Sequence, residues 1–209
     1  MKKYNLKPCR RRPQRPYKLG DENKSNAPYP NLVKNFCPIC PNVVWVSDFT
    51  FISFQGKFVY LATIMDLFTR LLVGWNILIN HSTELVKGAF EHAIQKTKKI
   101  PQILHSDQGS EYDSKEYTEL AKSYAIAISM SKKASPWENG FQESFYSGFK
   151  LDLGEPNRFN NLGELVEAIY QTVHYYNNSR IHTKLKSSGW KNLDDGTCII
   201  LTIGSILSL

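Results

Sequence analysis

The chain has 209 residues, 42% of them hydrophobic and 22% charged, with a formal net charge of +7. This is the composition of a globular domain, which excludes a disordered or collagen-like chain, and no apolar run approaches the roughly 20 residues of a membrane helix. The basic start at Met1–Asn5 leads into more charge, not an apolar stretch, which excludes a secretory signal; four cysteines are too few for a disulfide scaffold and point to a reducing compartment.

The charge is unevenly spread. Residues 1–35 hold ten Lys/Arg against Asp21 and Glu22, a balance of +8, and the other 174 residues balance at −1. This arm contains Arg10, Arg11 and Arg12, five prolines and almost no apolar periodicity, so an extended segment is expected. It reads either as a solubilising tail or as a contact for a polyanion.

From residue 43 the texture changes. Val43–Ile52 is rich in β-branched and aromatic residues and predicts a strand. Ser53–Gly56 reads as a turn, Lys57–Met65 as a second strand, Asp66–Thr69 as a turn and Arg70–Ile79 as a third strand. Short connections make these an antiparallel meander. Leu85, Ala89, Phe90, Ala93 and Ile94 then fall at helical spacing from a start at Thr83, with Pro101 as the stop. A strand at 102–106, a helix at 114–124 and a strand at 126–130 follow. Ser135-Pro136-Trp137-Glu138 carries cap, first-turn proline and acid, and predicts a helix to about Leu151. A last helix opens at Asn161. The order β-β-β-α-β-α-β-α-α predicts an α/β fold with a mixed five-stranded sheet flanked by helices. The apolar 197–209 is too short to span a bilayer.

Three carboxylates stand out by position. Asp48 lies inside an apolar strand, where an unpaired carboxylate costs desolvation. Asp107 directly follows the fourth strand, where sheet enzymes place ligands. Glu143 lies about two turns into the helix opened at Ser135. If the first and fourth strands are neighbours, Asp48 and Asp107 lie side by side, and a helix packed across them brings Glu143 to the same spot. Three such groups repel unless cations neutralise them. Hard divalent ions with oxygen ligands, Mg²⁺ or Mn²⁺, are the natural partners, and two of them form the clamp used in phosphoryl transfer.

Between Asp107 and Glu143 lie 35 residues. With this spacing, and with Val44–Thr50, Asp66–Arg70, His105–Tyr112, Glu138–Phe145 and Tyr175-Tyr176-Asn177 with Arg180 and His182, the chain resembles the integrase-like DDE transposases of bacterial insertion sequences. The resemblance covers about Tyr4 to Lys186. It implies a ribonuclease-H-like fold and makes Asp48, Asp107 and Glu143 the catalytic metal ligands for two Mg²⁺ or Mn²⁺. It implies DNA cleavage and 3′-hydroxyl strand transfer, with the DNA element ends and target as partners, action as a homo-oligomer, and a bacterial cytoplasmic, nucleoid-associated setting. The alternatives are a nuclease of the same fold that cuts without joining, and a remnant that binds DNA without catalysis.

Lys150 falls seven residues after Glu143, two helical turns on the same face, where it can meet a phosphate. Lys132, Lys133, Arg10, Arg11 and Arg12 are the other candidate DNA contacts. Lys3–Pro8 resembles the last residues of the family's upstream helix-turn-helix region. The expected organisation is an arm at 1–35, a catalytic core at 36–189 and a divergent tail at 190–209. Cys37 and Cys40 form a lone C-x-x-C, and no His precedes His81, so no zinc module is expected. His105 reads as a strand residue, and Glu111 and Asp113 as surface or capping groups.

Overall fold

The computed structural model describes residues 27–34, 38–131 and 140–180. Strands β1 (Val44–Phe54), β2 (Lys57–Asp66) and β3 (Leu72–Leu78) come first. Helix α1 (Thr83–Thr97), β4 (Ile103–Ser106), α2 (Lys115–Ser123) and β5 (Ala127–Met130) follow. Helix α3 (Gly140–Leu153), a short 3₁₀ turn at Pro156–Arg158 and α4 (Leu162–Asn178) complete the order. The sheet runs β3-β2-β1-β4-β5. The first three strands pair antiparallel, and β1–β4 and β4–β5 pair parallel. This is the mixed five-stranded α/β sheet expected from the element order. No described helix is long and apolar enough to cross a membrane.

The apolar alternation of the strands divides the core in two. Trp45, Ala62 and Ile64 face α1 and α2, packing on Phe90, Ala89 and Tyr117. Ile52, Leu61 and Met65 face α3 and α4, packing on Phe149, Leu165 and Ile169. Close approach on the first face depends on Gly74: a Cβ there would lie 2.3 Å from the carbonyl oxygen of Ala89 and 2.6 Å from the Ala93 Cβ. Residues 27–34 lie along β5, with Met130 N–H donating to the Pro30 carbonyl (3.3 Å) and Leu32 N–H to Ser129 Oγ (2.9 Å).

Several boundaries differ from the sequence reading, each for a local reason. The first turn is only Gln55-Gly56, both with positive φ (47° and 76°), so the strands run on through Ser53 and Phe54, and Phe54 pairs with Lys57. Two residues at positive φ match the twist of a tight hairpin. Strand β3 starts at Leu72 instead of Arg70 because the preceding turn is larger. Helix α1 ends at Thr97, before Pro101, on a left-handed Lys98 whose N–H donates to Ile94 O. Helix α4 runs to Asn178 because Asn177 docks it: its Oδ1 accepts Leu72 N–H (2.9 Å) and its Nδ2 donates to Leu72 O (3.0 Å). Arg180 and Asp152 form an ion pair that ties the end of α4 to α3.

Asp66 closes β2 and organises the turn after it. Buried at 1% exposure, it accepts from the backbone N–H of Asn42 (2.6 Å), Phe68 (3.1 Å) and Thr69 (2.7 Å), and from Thr69 Oγ1 (2.9 Å). Asp66→Ala strips these buried donors of their acceptor. We expect a loss of about 3 kcal/mol, read as a fall in Tm of about 10 °C with the far-ultraviolet spectrum of the folded chain retained.

Candidate active site

The parallel ladder between β1 and β4 pairs Val44, Trp45 and Val46 with Ile103, Leu104 and His105, and stops there. Two residues further along each strand stand Asp48 and Asp107. The two acids therefore sit side by side where the strands part, as the sequence reading required. Beyond this point β1 has no described partner on its β4 side. The Phe49 N–H turns instead to the Asp48 carboxylate, donating to Oδ1 at 2.8 Å.

Glu143 arrives on α3, which is latched across β1 and β2 by the residues flanking it. Gln142 Nε2 donates to the Val46 carbonyl (2.7 Å), and its Oε1 accepts from Thr63 Oγ1 (3.2 Å). Tyr146 Oη donates to the Asp48 carbonyl (2.6 Å) and lies 2.8 Å from Thr63 Oγ1. Gln142 and Tyr146 are one helical turn apart and bracket Glu143, so two buried bonds fix the height at which it projects. Arg70, in the turn after Asp66, lies over the Phe141 ring at 3.6 Å and braces the same end of α3.

The electrostatics show how strongly these acids interact. Burial pushes the Asp48 carboxyl up, the Asp107 charge adds to this, the Phe49 N–H opposes it, and the Glu143 charge adds a smaller push, for a value of about 7. Asp107, at the surface, is also raised, by desolvation first; the Gly109 N–H (3.0 Å to Oδ1) opposes this and the Glu111 charge reinforces it. Glu143, exposed on α3, is raised by partial desolvation. Among the described residues none of the three has an ion-pair partner. Nor are any three His, Cys, Asp or Glu side chains among them drawn together tightly enough to enclose an ion as they stand. Unpaired, hard-oxygen and mutually repelling, the donor set nonetheless suits a hard divalent cation and no soft one.

Glu111 departs from its expected surface role. It is 8% exposed, and its Oε1 meets His81 Nδ1 at 2.6 Å while Ser110 Oγ donates to Oε2 at 3.1 Å. Burial works to raise it, but the bonds from His81, its own backbone and Ser110 hold it below the ordinary range. The partner lies 30 positions away in sequence, so no local motif announces the pair. His105 is a buried residue of β4, as its strand context predicts, with Nδ1 2.9 Å from Ser129 Oγ, and Asp113 is exposed. Lys150 projects from α3 with its Nζ 5.0 Å from the Phe51 ring centroid, and partial burial lowers its ammonium. Lys132, Lys133, Arg10, Arg11, Arg12, His182 and the tail at 190–209 lie outside the described residues.

Two outcomes follow from this geometry. The folded Asp48 keeps its proton up to about pH 7, whereas the unfolded carboxyl releases it near pH 3.8. Unfolding therefore releases a proton in that window, and stability falls as pH rises from about 4 to about 7. Asp48→Asn, measured without divalent metal, should raise Tm by about 5 °C at pH 8 and give progressively less as pH falls towards 4. Tyr146→Phe should cost about 1 kcal/mol. If Tyr146 positions Glu143, it should also cut turnover about 10- to 100-fold at unchanged DNA affinity; an equal loss in affinity would show a merely structural role.

Comparison with known proteins agrees with this architecture. The chain matches the Integrase core domain family over residues 38–136, and a second family of the same description over 124–188. It is 33% identical over 183 residues to the transposase for insertion sequence element IS904 of Lactococcus lactis, covering 85% of this chain and 72% of that one. To the putative transposase InsK for insertion sequence element IS150 of Escherichia coli it is 31% identical over 159 residues, covering 75% of this chain and 56% of the relative. Among solved structures it is similar to a chain of the simian T-cell lymphotropic virus intasome (TM-score 0.69, 18% identity, 83% of this chain and 60% of that one). It is also similar to the HTLV-2 integrase catalytic core domain in complex with magnesium (TM-score 0.62, 20% identity, 74% of this chain and 97% of that one). At such identity these two likenesses speak for the ribonuclease-H-like fold alone. The kinship with the IS904 transposase runs through most of both sequences, and by it the chain belongs to the integrase core family, as the catalytic core of an insertion-sequence transposase.

Proposed function

We propose that this chain cleaves DNA strands and joins a 3′-hydroxyl to a target strand, with Asp48, Asp107 and Glu143 as the catalytic carboxylates. The observation that carries this reading is the perturbed Asp48: a largely buried carboxyl raised by desolvation and by the charges of Asp107 and Glu143, with no described cation to offset them. Such an arrangement costs stability unless positive charge is supplied from outside the chain. Asp48, Asp107 and Glu143 would hold two Mg²⁺ or Mn²⁺ ions. When bound, these supply Lewis-acid stabilisation for phosphodiester displacement without a covalent enzyme intermediate.

The chain's own residues have distinct parts. Asp48, the most buried of the three and sensing the charges of both others, would hold metal with its carboxylate. Asp107 sits on a loop held by the Gly109 N–H. Glu143 gives the weaker of the two charge effects on Asp48; exposed on α3, its side chain would rotate toward the other two acids to share in holding metal. Gln142 and Tyr146 limit that swing to side-chain rotation by fixing α3. Lys150 offers a cation on the Glu143 face for the phosphate beside the cut. Lys132, Lys133, Arg10, Arg11 and Arg12 would add phosphate contacts, so affinity should fall steeply with salt. Joining two DNA ends calls for more than one copy, so the active form is a homo-oligomer.

The test is Mg²⁺- or Mn²⁺-dependent cleavage and strand transfer on labelled DNA from the gene's own flanks, with Glu143→Gln alongside. We expect both products from the parent and a loss on the order of 10³-fold in the variant. Equal activity in both would refute the carboxylate assignment, and hydrolysis without joining would mark a nuclease. Binding with no cleavage in either would leave a DNA-binding remnant.

A further inference from the structure

The α1 side of the sheet is only partly covered. Helices α1 and α2 close over Trp45, Ala62 and Ile64. His81, in the loop before α1, then stacks on Phe49 (6.4 Å, interplanar angle 5°) and packs on Tyr60 (5.3 Å). Beyond His81 no described residue covers the sheet. Phe51 and Phe58 stand there 53% and 50% exposed, edge to face at 5.1 Å, with Phe51 opposite Tyr60 in the ladder. Leaving two phenylalanine rings half in water costs apolar burial that the core could have used.

The surroundings of this shelf are basic and polar. Lys150 reaches the open edge of β1 from α3 on the other side of the sheet, its Nζ 5.0 Å from the Phe51 centroid. A cleft of about 900 Å³ adjoins Phe58, lined by Lys57, Tyr60, Ile79, His81 and Asn161 among others, with no acidic residue in its described lining. An apolar partner protein calls for neither Lys57 nor Lys150 at this place. A polyanion with flat aromatic faces needs both.

We propose that Phe51 and Phe58 form a stacking platform for unpaired nucleobases of the DNA strand held at the active site, with Lys150 neutralising the phosphate between base and carboxylates. This rests on the DNA-processing reading above and adds a second requirement to it, that part of the bound strand be single-stranded. Phe51 lies three residues from Asp48 along β1, about 10 Å, and so points to the opposite face of the sheet; a strand that reaches both must cross the open edge of β1, where the Lys150 Nζ lies 5.0 Å from the Phe51 ring centroid. Duplex bases present only their edges, so a ring at this place can be covered only by a base that has left its pair.

The experiment uses the full chain, without divalent metal, so that binding is read apart from chemistry. Fluorescence anisotropy compares a labelled duplex with one of the same length whose terminal pairs are mismatched. The parent should prefer the mismatched probe, and Phe51→Ala with Phe58→Ala should remove about tenfold of affinity for it while leaving the paired duplex unchanged. Phe51→Leu keeps the apolar bulk and should behave like the alanine variant; Phe51→Trp should keep the preference and show tryptophan quenching on binding single-stranded oligothymidine. Glu143→Gln should keep the preference, so a failure of the catalytic reading leaves this one standing. Equal affinity of the parent for both probes would overturn the platform, as would equal losses on both in the alanine variants. Concentration-dependent self-association abolished by Phe51→Ala, with DNA binding intact, would overturn it in favour of an interface between copies.

Discussion

A carboxylate in the middle of a core strand must be paired, protonated or coordinated, and the structure leaves Asp48 without a described basic partner. Much else follows from that choice. The β1–β4 ladder stops two residues short of it, so the place where the strands separate is also the place where charge accumulates. Asp107 arrives at that opening from β4, and Glu143 from a helix laid across β1 and β2. Each arrival adds repulsion to a carboxyl already raised by burial, a local cost in stability that positive charge would offset.

Such crowding is tolerable only on a rigid frame, and the surrounding motifs are frame and not chemistry. Asp66 gathers backbone donors into the turn that presents Arg70 to Phe141. Asn177 reads both polar groups of Leu72, and Arg180 joins Asp152. Gln142 and Tyr146 reach the β1 carbonyls directly. Helices α3 and α4 are thus held to the sheet by buried polar contacts as well as by the apolar cluster of Phe149, Leu165 and Ile169. Apolar packing gives adhesion without fixing register, whereas hydrogen bonds specify position.

The positions of Asp48, Asp107 and Glu143 on β1, after β4 and on α3 are legible in the sequence because each breaks a local rule or holds a telling interval: an acid within an apolar strand, an acid at a strand end, an acid at a family spacing. The strand order was legible because the hydrophobic period changes from two to 3.6 after Ile79. Glu111 was not, because its environment is made by His81 across 30 positions of chain. Gln142 and Tyr146 were not, because their acceptors are backbone carbonyls, which have no letter in a sequence. The turn at Gln55-Gly56 is narrower than composition predicts, since a strand continuing into a tight hairpin shows no break in composition.

The open edge of β1 has a further consequence. A strand edge with no neighbour is a template for any extended peptide, including the same segment of another molecule, and fibrous assembly begins at such places. Here the edge is defended by polar groups: the Asp48 carboxyl occupies the Phe49 N–H, and the Lys150 ammonium stands over Phe51. An incoming strand must displace the first and desolvate the second. The same polar groups thereby act as gatekeepers against β-augmentation, and β1 can run on past its described β4 partner without inviting polymerisation of the chain.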